Sequence, residues 1–231
     1  MMSTVKKAIK HLLGRDLWIR SDDRIATRFY GSRYGGWSIV EGTVGKGSVV
    51  YSFGIGEDAS FDLGLIAAAA CTVHGFDPTP KSLGWVEKNV HEERFVMHPW
   101  ALGSEDGTLT LWMPDNPDHV SASLVSASGR SKGSFDAECK SLESVMKELG
   151  HERVDVMKMD IEGAEYGVIE ALCADGAISK VGQLLVEFHH RMEGFTKAQT
   201  LSAIKRLRNE GFRIAWVSEV GHEVLFVRRS D

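Results

Sequence analysis

From residue 49 to residue 227, short runs rich in β-branched and aromatic residues alternate with longer stretches of helical periodicity, and few folds accommodate such an alternation. Strands separated by a helix's length of chain pair parallel, and the intervening helices cover both faces of the resulting sheet. The runs are residues 49–53, 72–76, 94–98, 154–159, 183–188, 213–217 and 223–227. Between the last two lie only residues 218–222, too few for a parallel crossover, so the final strand is expected to run antiparallel. The reading is a doubly wound α/β sheet of seven strands, mostly parallel, with an antiparallel last strand.

Several boundaries are legible. Thr79 before Pro80 reads as an N-cap and first helical residue, and Thr196 with Gln199 makes a capping box. Residues 113–134, rich in Ser, Gly, Pro and Asp, separate a short β-rich run at 108–112 from what reads as the next helix. A loop that long in a compact domain is more often functional than accidental. Ahead of the sheet, residues 1–46 carry nine Lys/Arg against four Asp/Glu, a net of +5, while the remaining residues carry 18 basic and 28 acidic groups, a net of -10. The chain therefore divides into a basic N-terminal arm, 1–46, and a single domain, 47–231. The arm opens with helical periodicity: Val5, Ala8, Ile9, Leu12 and Leu13 fall on one face and Lys6, Lys7, Lys10 and His11 on the other, ending at Gly14. Docking of the arm on its own acidic body is favoured over an RNA or membrane partner, and the overall charge of -5 argues against nucleic acid.

The longest mainly apolar stretch, residues 63–73, is short of the roughly 20 residues of a membrane helix. The N-terminus lacks the apolar segment and small-residue site of a secretory signal, so a cytoplasmic protein is expected. Cys71, Cys139 and Cys173 form no CxxC pair or disulfide framework, and no thiol chemistry is assigned to them.

Two segments carry chemistry. In the first, the strand 49–53 runs into Gly54-Ile55-Gly56-Glu57-Asp58-Ala59 and then a helix, so that a ligand can approach the backbone and the unpaired N–H groups of the helix. Asp77 stands at the end of the next strand, where a carboxylate can take the two hydroxyls of a ribose. The string also satisfies the GxGxxA pattern of dehydrogenases, which leaves a nicotinamide-dependent oxidoreductase open at this point. The second segment, Val154 to Tyr166, contains Lys158-Met159-Asp160-Ile161-Glu162-Gly163-Ala164-Glu165. It resembles the K-x-D-x-E-G-A-E hallmark of the FkbM-type S-adenosylmethionine-dependent methyltransferases. The resemblance extends from about Val49 to Val227, through Phe53-Gly54-Ile55-Gly56, Gly75-Phe76-Asp77-Pro78, Ala101-Leu102-Gly103 and Leu185-Val186-Glu187-Phe188-His189.

The resemblance implies a class I methyltransferase, Rossmann-like, with strand order 3-2-1-4-5-7-6. It implies S-adenosylmethionine as cofactor and S-adenosylhomocysteine as product, and a hydroxyl oxygen on a small molecule or carbohydrate as methyl acceptor. Cofactor-binding residues are then Ser52, Phe53, Gly54, Gly56, Asp58, Asp77, Pro78, Ala101 and Asp160. One departure concerns Ser52, where the family usually has an acid just before the glycine loop. The methionine ammonium would lean instead on Glu57, Asp58 or Asp160, failing which the chain is a binding module without turnover.

Methyl transfer needs the acceptor held near the methyl, and a hydroxyl gains from a general base. Asp160, at the end of its strand, and Glu187, at the end of the strand expected beside it, would have Cα atoms about 5 Å apart. His189 follows two residues on. Asp160 is assigned nearest the methyl, with Glu187 or His189 as base. No metal is assigned, although these carboxylates and His189 are competent divalent-metal ligands. Glu162 and Glu165 open a helix, where acids stabilise the N-terminus by about 0.3 to 1 kcal/mol whatever the function. His190 reads as an exposed loop residue and Lys158 as a strand lysine paired to a carboxylate. In the arm, Tyr34, Gly36 and Trp37 are placed to fold over the cofactor, where an aromatic ring gains cation–π energy from a sulfonium; a core plug is the alternative. Trp100 and Trp112 are further candidates to stack on adenine or line the acceptor pocket.

Overall fold

The computed structural model describes residues 17–112 and 133–228. In chain order its elements are β1 (Thr27–Tyr30), β2 (Trp37–Val40), β3 (Val49–Phe53), α1 (Ser60–Ala69), β4 (Thr72–Phe76), α2 (Pro80–Asn89), β5 (Phe95–His98), β6 (Ala101–Leu102) and β7 (Gly107–Trp112). There follow β8 (Ser134–Lys140), α3 (Leu142–Leu149), β9 (Val154–Met159), α4 (Glu165–Ala174), β10 (Val181–Glu187), α5 (Lys197–Asn209), β11 (Phe212–Val217) and β12 (Glu223–Arg228).

Seven strands form one sheet in the order β11-β12-β10-β9-β3-β4-β5. Counted by appearance within that sheet, the order is 3-2-1-4-5-7-6. β12 pairs antiparallel with both β10 and β11, and the other pairs are parallel. The alternation of side chains along β3 builds the two layers. Val50 joins Trp37, Ile55, Phe61 and Leu65 on one face, while Tyr51 and Phe53 join Phe76, Met157 and Met159 on the other. The helix boundaries follow their caps. Thr79 accepts from Ser82 N ahead of Pro80, and Thr196 and Gln199 complete a capping box.

The structure departs from the sequence reading in two places. No helix follows residue 134 directly; Ser134–Lys140 is a strand that pairs antiparallel with β7, and with β6 they make a separate three-stranded sheet. Its burial alternates, Ala137 and Cys139 facing inward, as a period-two segment dictates. The described part of the arm, in turn, holds a two-stranded ribbon, β1 with β2, where no element was read. Trp37 and Ile39 of this ribbon are 2% exposed and enter the core of the main sheet. Polar contacts add to this: Asp22 accepts from Arg208 (2.5 Å) and from Ile214 N (2.9 Å), Asp23 accepts from Arg213 (2.7 Å), and Val40 N donates to Gln183 Oε1 (2.8 Å). The helix read at residues 5–13 and the loop 113–132 lie outside the described residues.

Among the described residues no helix is long and apolar enough to cross a membrane. Burial lifts the thiols of Cys71, Cys139 and Cys173 to about 11, which leaves them protonated and unreactive at neutral pH.

Candidate active site

The tips of β3, β4, β9 and β10 meet at one edge of the sheet. Gly54 (φ 81°) and Gly56 (φ 59°) turn the chain there through left-handed backbone that favours glycine. A side chain on Gly54 is excluded twice over, because an added Cβ would collide with the Asp160 carbonyl oxygen; at Gly56 the same space is open. Hydrogen bonds from Asp160 N to Phe53 O (3.0 Å) and from Gly54 N to Phe76 O (2.9 Å) continue the ladders past the strand ends. Asp77, 6% exposed, holds the turn from below. Its Oδ2 accepts from Ile55 N (3.1 Å) and Gly56 N (2.9 Å), and its Oδ1 from the Thr79 amide (2.9 Å) and hydroxyl (2.7 Å). The carboxylate read as a ribose ligand is thus also the brace of the glycine turn.

Of the acids read as substitutes at Ser52, Glu57 pairs with Lys81 at 3.1 Å. Asp58 accepts from Ser32 Oγ (2.6 Å) and Ser60 N (2.8 Å). Burial opposes the charge of Asp58, but these hydrogen bonds outweigh it and hold its carboxyl below the usual range. The acid that does stand beside Ser52 is Asp62, on the first turn of α1.

A second group of charges lies across the edge. Val186 pairs with Met159, so Glu187 ends β10 beside Asp160. The His189 side chain is 10% exposed, with Nε2 3.7 Å from Asp160 Oδ1 and 3.6 Å from Glu162 Oε2. Its orientation comes from Glu165, the fully buried first residue of α4. Glu165 Oε1 accepts from His189 N (2.9 Å) and faces His189 Nδ1 (3.3 Å), while Oε2 accepts from Gly163 N (2.8 Å). With Nδ1 directed at Glu165, Nε2 is left facing Asp160 and Glu162. Burial alone would depress His189, but Glu165, then Glu162 and Asp160, overcome it and lift the imidazole to about 9. Glu187 is pushed up, first by burial and then by the charge of Asp160. Glu162 reaches this cluster from left-handed backbone (φ 51°), and the Phe195 ring fills the space a Cβ would need at Gly163. Asp160, Glu162 and His189 each offer one ligand atom, all within 4.8 Å of one another, a spacing that one cation can share.

The remaining assigned residues are scattered in role. Tyr34 is 94% exposed, on a turn whose Tyr34 and Gly35 amides donate to Ser32 Oγ, and does not cover the edge. Trp37 is a core plug, its ring centroid 5.7 Å from Lys158 Nζ. Gly36 is required by packing, since a Cβ there would strike the Phe29 ring. Phe53 stacks on Phe76 with centroids 4.3 Å apart. Pro78 is half-buried and Ala101 buried in β6. Trp100 stacks on His98 and lies 3.8 Å from Lys140 Nζ. His190, read as exposed, is 5% exposed, with Nδ1 3.3 Å from Thr200 Oγ1. The structure gathers Gly54, Gly56, Asp77, Asp160, Glu187 and His189, and adds Glu162, Glu165 and Asp62, whose part the sequence reading missed.

Residues 50–214 match the Methyltransferase FkbM domain. Over 158 residues the chain is 30% identical to the probable methyltransferase-like protein 24 of Homo sapiens and 28% identical to that of Rattus norvegicus. Each alignment covers 68% of this chain and 37% of the relative, so the chain spans little more than a third of their length. Among solved structures, a fibrillarin/Nop5p complex aligns over 80% of this chain and 74% of that chain at 12% identity and a TM-score of 0.46. Aeropyrum pernix fibrillarin with natively bound S-adenosyl-L-methionine aligns over 89% and 84% at 9% identity and a TM-score of 0.43. The domain match decides what the glycine turn alone left open between a methyltransferase and a nicotinamide enzyme, and it implies S-adenosylmethionine as methyl donor. The residues fit that group: open space lies above Gly56, and Asp77 stands at the neighbouring strand tip. Matched over more than half its length, and carrying the Lys158 to Glu165 string at the tip of β9, the chain belongs to the FkbM methyltransferase family.

Proposed function

We propose that this chain methylates a hydroxyl oxygen of a small molecule or sugar, with S-adenosylmethionine as donor, at the edge where β3, β4, β9 and β10 end. When bound, the cofactor supplies an electrophilic methyl group on a sulfonium. The turn at Gly54 and Gly56 holds its amino-acid end, and Asp77 takes the ribose hydroxyls in exchange for the Ile55 and Gly56 amides it now accepts. Asp160 orients the acceptor beside the methyl.

The observation that carries this reading is the convergence of Asp160, Glu162, Glu187 and His189 beside the glycine turn. A neutral alcohol is a weak nucleophile, and a carboxylate with raised proton affinity is the stronger base toward it. Glu187 is that group. His189, protonated at neutral pH, is the counter-charge that lets Asp160 and Glu162 stand close together. The net charge of -10 outside residues 1–46 favours a small acceptor over nucleic acid. The three free cysteines suit a reducing, cytoplasmic setting.

The test is release of S-adenosylhomocysteine from S-adenosylmethionine across a set of hydroxyl-bearing acceptors. Replacing Glu187 with Gln should lower kcat by roughly 10²- to 10⁴-fold and leave KM for the cofactor within about threefold. Unchanged kcat in that variant would overturn the base assignment. Binding of S-adenosylhomocysteine without transfer to any acceptor would favour a binding module instead.

A further inference from the structure

At the tip of β9 two carboxylates and an imidazole nitrogen converge on one gap. The His189 side chain is 10% exposed, and those of Asp160 and Glu162 keep 32% and 22% of their surface open. Glu165 fixes the ring, since its Oε1 accepts from His189 N (2.9 Å) and faces Nδ1 (3.3 Å), so Nε2 is aimed between the two carboxylates. Nε2 lies 3.7 Å from Asp160 Oδ1 and 3.6 Å from Glu162 Oε2. A charge-assisted N–H···O bond is about 2.7 to 2.9 Å long, so a proton on Nε2 brings charge to the gap but closes no hydrogen bond with either acid. Donors held by one cation at about 2.1 Å stand roughly 3 to 4 Å apart, which is the separation found. The three residues offer ligand atoms all within 4.8 Å of one another. Behind the imidazole, the fully buried Glu165 carboxylate is the outer partner that a metal-bound histidine ordinarily has.

We propose that Asp160, Glu162 and His189 bind one divalent cation of the first transition row, and that this ion holds the acceptor oxygen during methyl transfer. One imidazole with two carboxylates is a mixed nitrogen and oxygen set of the kind such cations take. Three protein ligands leave open positions on the ion, and one of them receives the acceptor hydroxyl. There the ion lowers the proton affinity of the oxygen. The hydroxyl proton passes to Glu187, the oxygen lone pair forms the O–CH₃ bond, and the S–CH₃ bond breaks with its electron pair left on sulfur. Without the ion, the His189 imidazolium is what separates the two acids. The ion's part in transfer rests on the function proposed above, whereas its binding rests on the three side chains alone.

The experiment takes the full chain, stripped with a chelator, and titrates it with MnCl₂ alone, by calorimetry and by electron paramagnetic resonance. Binding of S-adenosylhomocysteine is measured on the same samples without metal. Wild type should take one Mn²⁺ per chain with a Kd of roughly 1 to 100 μM, and electron spin-echo modulation should show an imidazole nitrogen on the ion. Glu162→Gln and His189→Gln should each bind Mn²⁺ at least about tenfold more weakly, and the nitrogen signal should vanish in His189→Gln. If His189→Gln does not fold, Glu162→Gln makes the comparison, its affinity for S-adenosylhomocysteine within about threefold of wild type marking an intact edge. A wild-type chain that binds S-adenosylhomocysteine but holds Mn²⁺ no tighter than about 1 mM overturns the ion site and leaves the cofactor site standing. So does a bound Mn²⁺ with no imidazole nitrogen, or one whose affinity neither substitution changes. Mn²⁺ held by these residues in a chain that takes no S-adenosylhomocysteine overturns the proposed function, and the ion's part in transfer with it.

Discussion

Glu165→Gln is the substitution whose consequences follow most directly from the geometry. Glu165 has no solvent exposure and receives three N–H groups: Gly163 N, His189 N and His189 Nδ1. Glutamine keeps the volume but offers one oxygen and one NH₂, so one backbone N–H is left facing a donor. An unsatisfied buried donor costs about 1 to 3 kcal/mol, and loss of a hydrogen bond to a charged group costs about 1.5 to 3 kcal/mol. The second part depends on pH, because it exists only while His189 is protonated.

The folded-state pKa of His189, about 9, lies above its ordinary 6.5. Its contribution to stability is therefore fully present below pH 6.5 and is lost as pH rises through about 9. Glu165→Gln should destabilise the chain by about 3 kcal/mol at pH 6.5 and by only about 1 kcal/mol at pH 9.5, where the imidazole is mostly neutral in both proteins. With Glu165 gone, burial works against the imidazolium with less opposition, and His189 should titrate nearer its ordinary range. Urea denaturation of the two proteins at both pH values measures the difference, and NMR titration of the His189 ring gives its pKa directly. A destabilisation independent of pH, or a His189 that still titrates near 9 in the variant, would refute the assignment of Glu165 as the residue that charges and orients the imidazole.

Gly54→Ala places a methyl on the Asp160 carbonyl in backbone that disfavours any side chain. A loss of at least about 2 kcal/mol in urea and no detectable S-adenosylhomocysteine binding are expected, and wild-type behaviour in both would refute the close approach of turn and strand tip. On the opposite layer, His74 is driven down to about 4 by burial and then by His151 and His98, and burial lowers His98 and His151 as well. Their contribution is fully present above pH 6.5 and is lost as pH falls, for His74 through about 4, so urea midpoints should drop across that window and drop less in His74→Phe.

The fold was legible because its main signals are local. β3, β4 and β9 have the residue bounds read from the sequence, since each is an apolar run closed by Gly, Asp or a cap. The antiparallel β12 followed from counting five residues. What escaped were elements whose stability is not local. Thr27–Tyr30 carries no buried residue, and only the partner strand Trp37–Val40, which inserts Trp37 and Ile39 into the core, makes it a strand. Ser134–Lys140 has period-two burial but exposes Ser134, Asp136 and Glu138, so its polar face hid it beside a polar loop.

The candidate site divides along a similar line. Glycines and strand-end acids announce themselves by position, because a parallel sheet delivers its strand tips to one edge whatever else the chain does. The acids that orient the others do not. Asp62 and Glu165 each sit in the first turn of a helix, where the helix dipole already accounts for an acid, so sequence offers no excess to explain. Only the packed structure separates them from ordinary first-turn acids, through burial of 1% and 0% and, for Glu165, through a partner far off in the chain, His189. Two buried cations address strand tips, Lys158 the Gly54 carbonyl and His189 the Asp160 carboxylate. The cofactor turn and the acceptor acid are therefore held by two parallel arrangements from opposite sides of β9. A variant that breaks the second should leave the first intact: Glu165→Gln should leave the affinity for S-adenosylhomocysteine within about threefold of wild type.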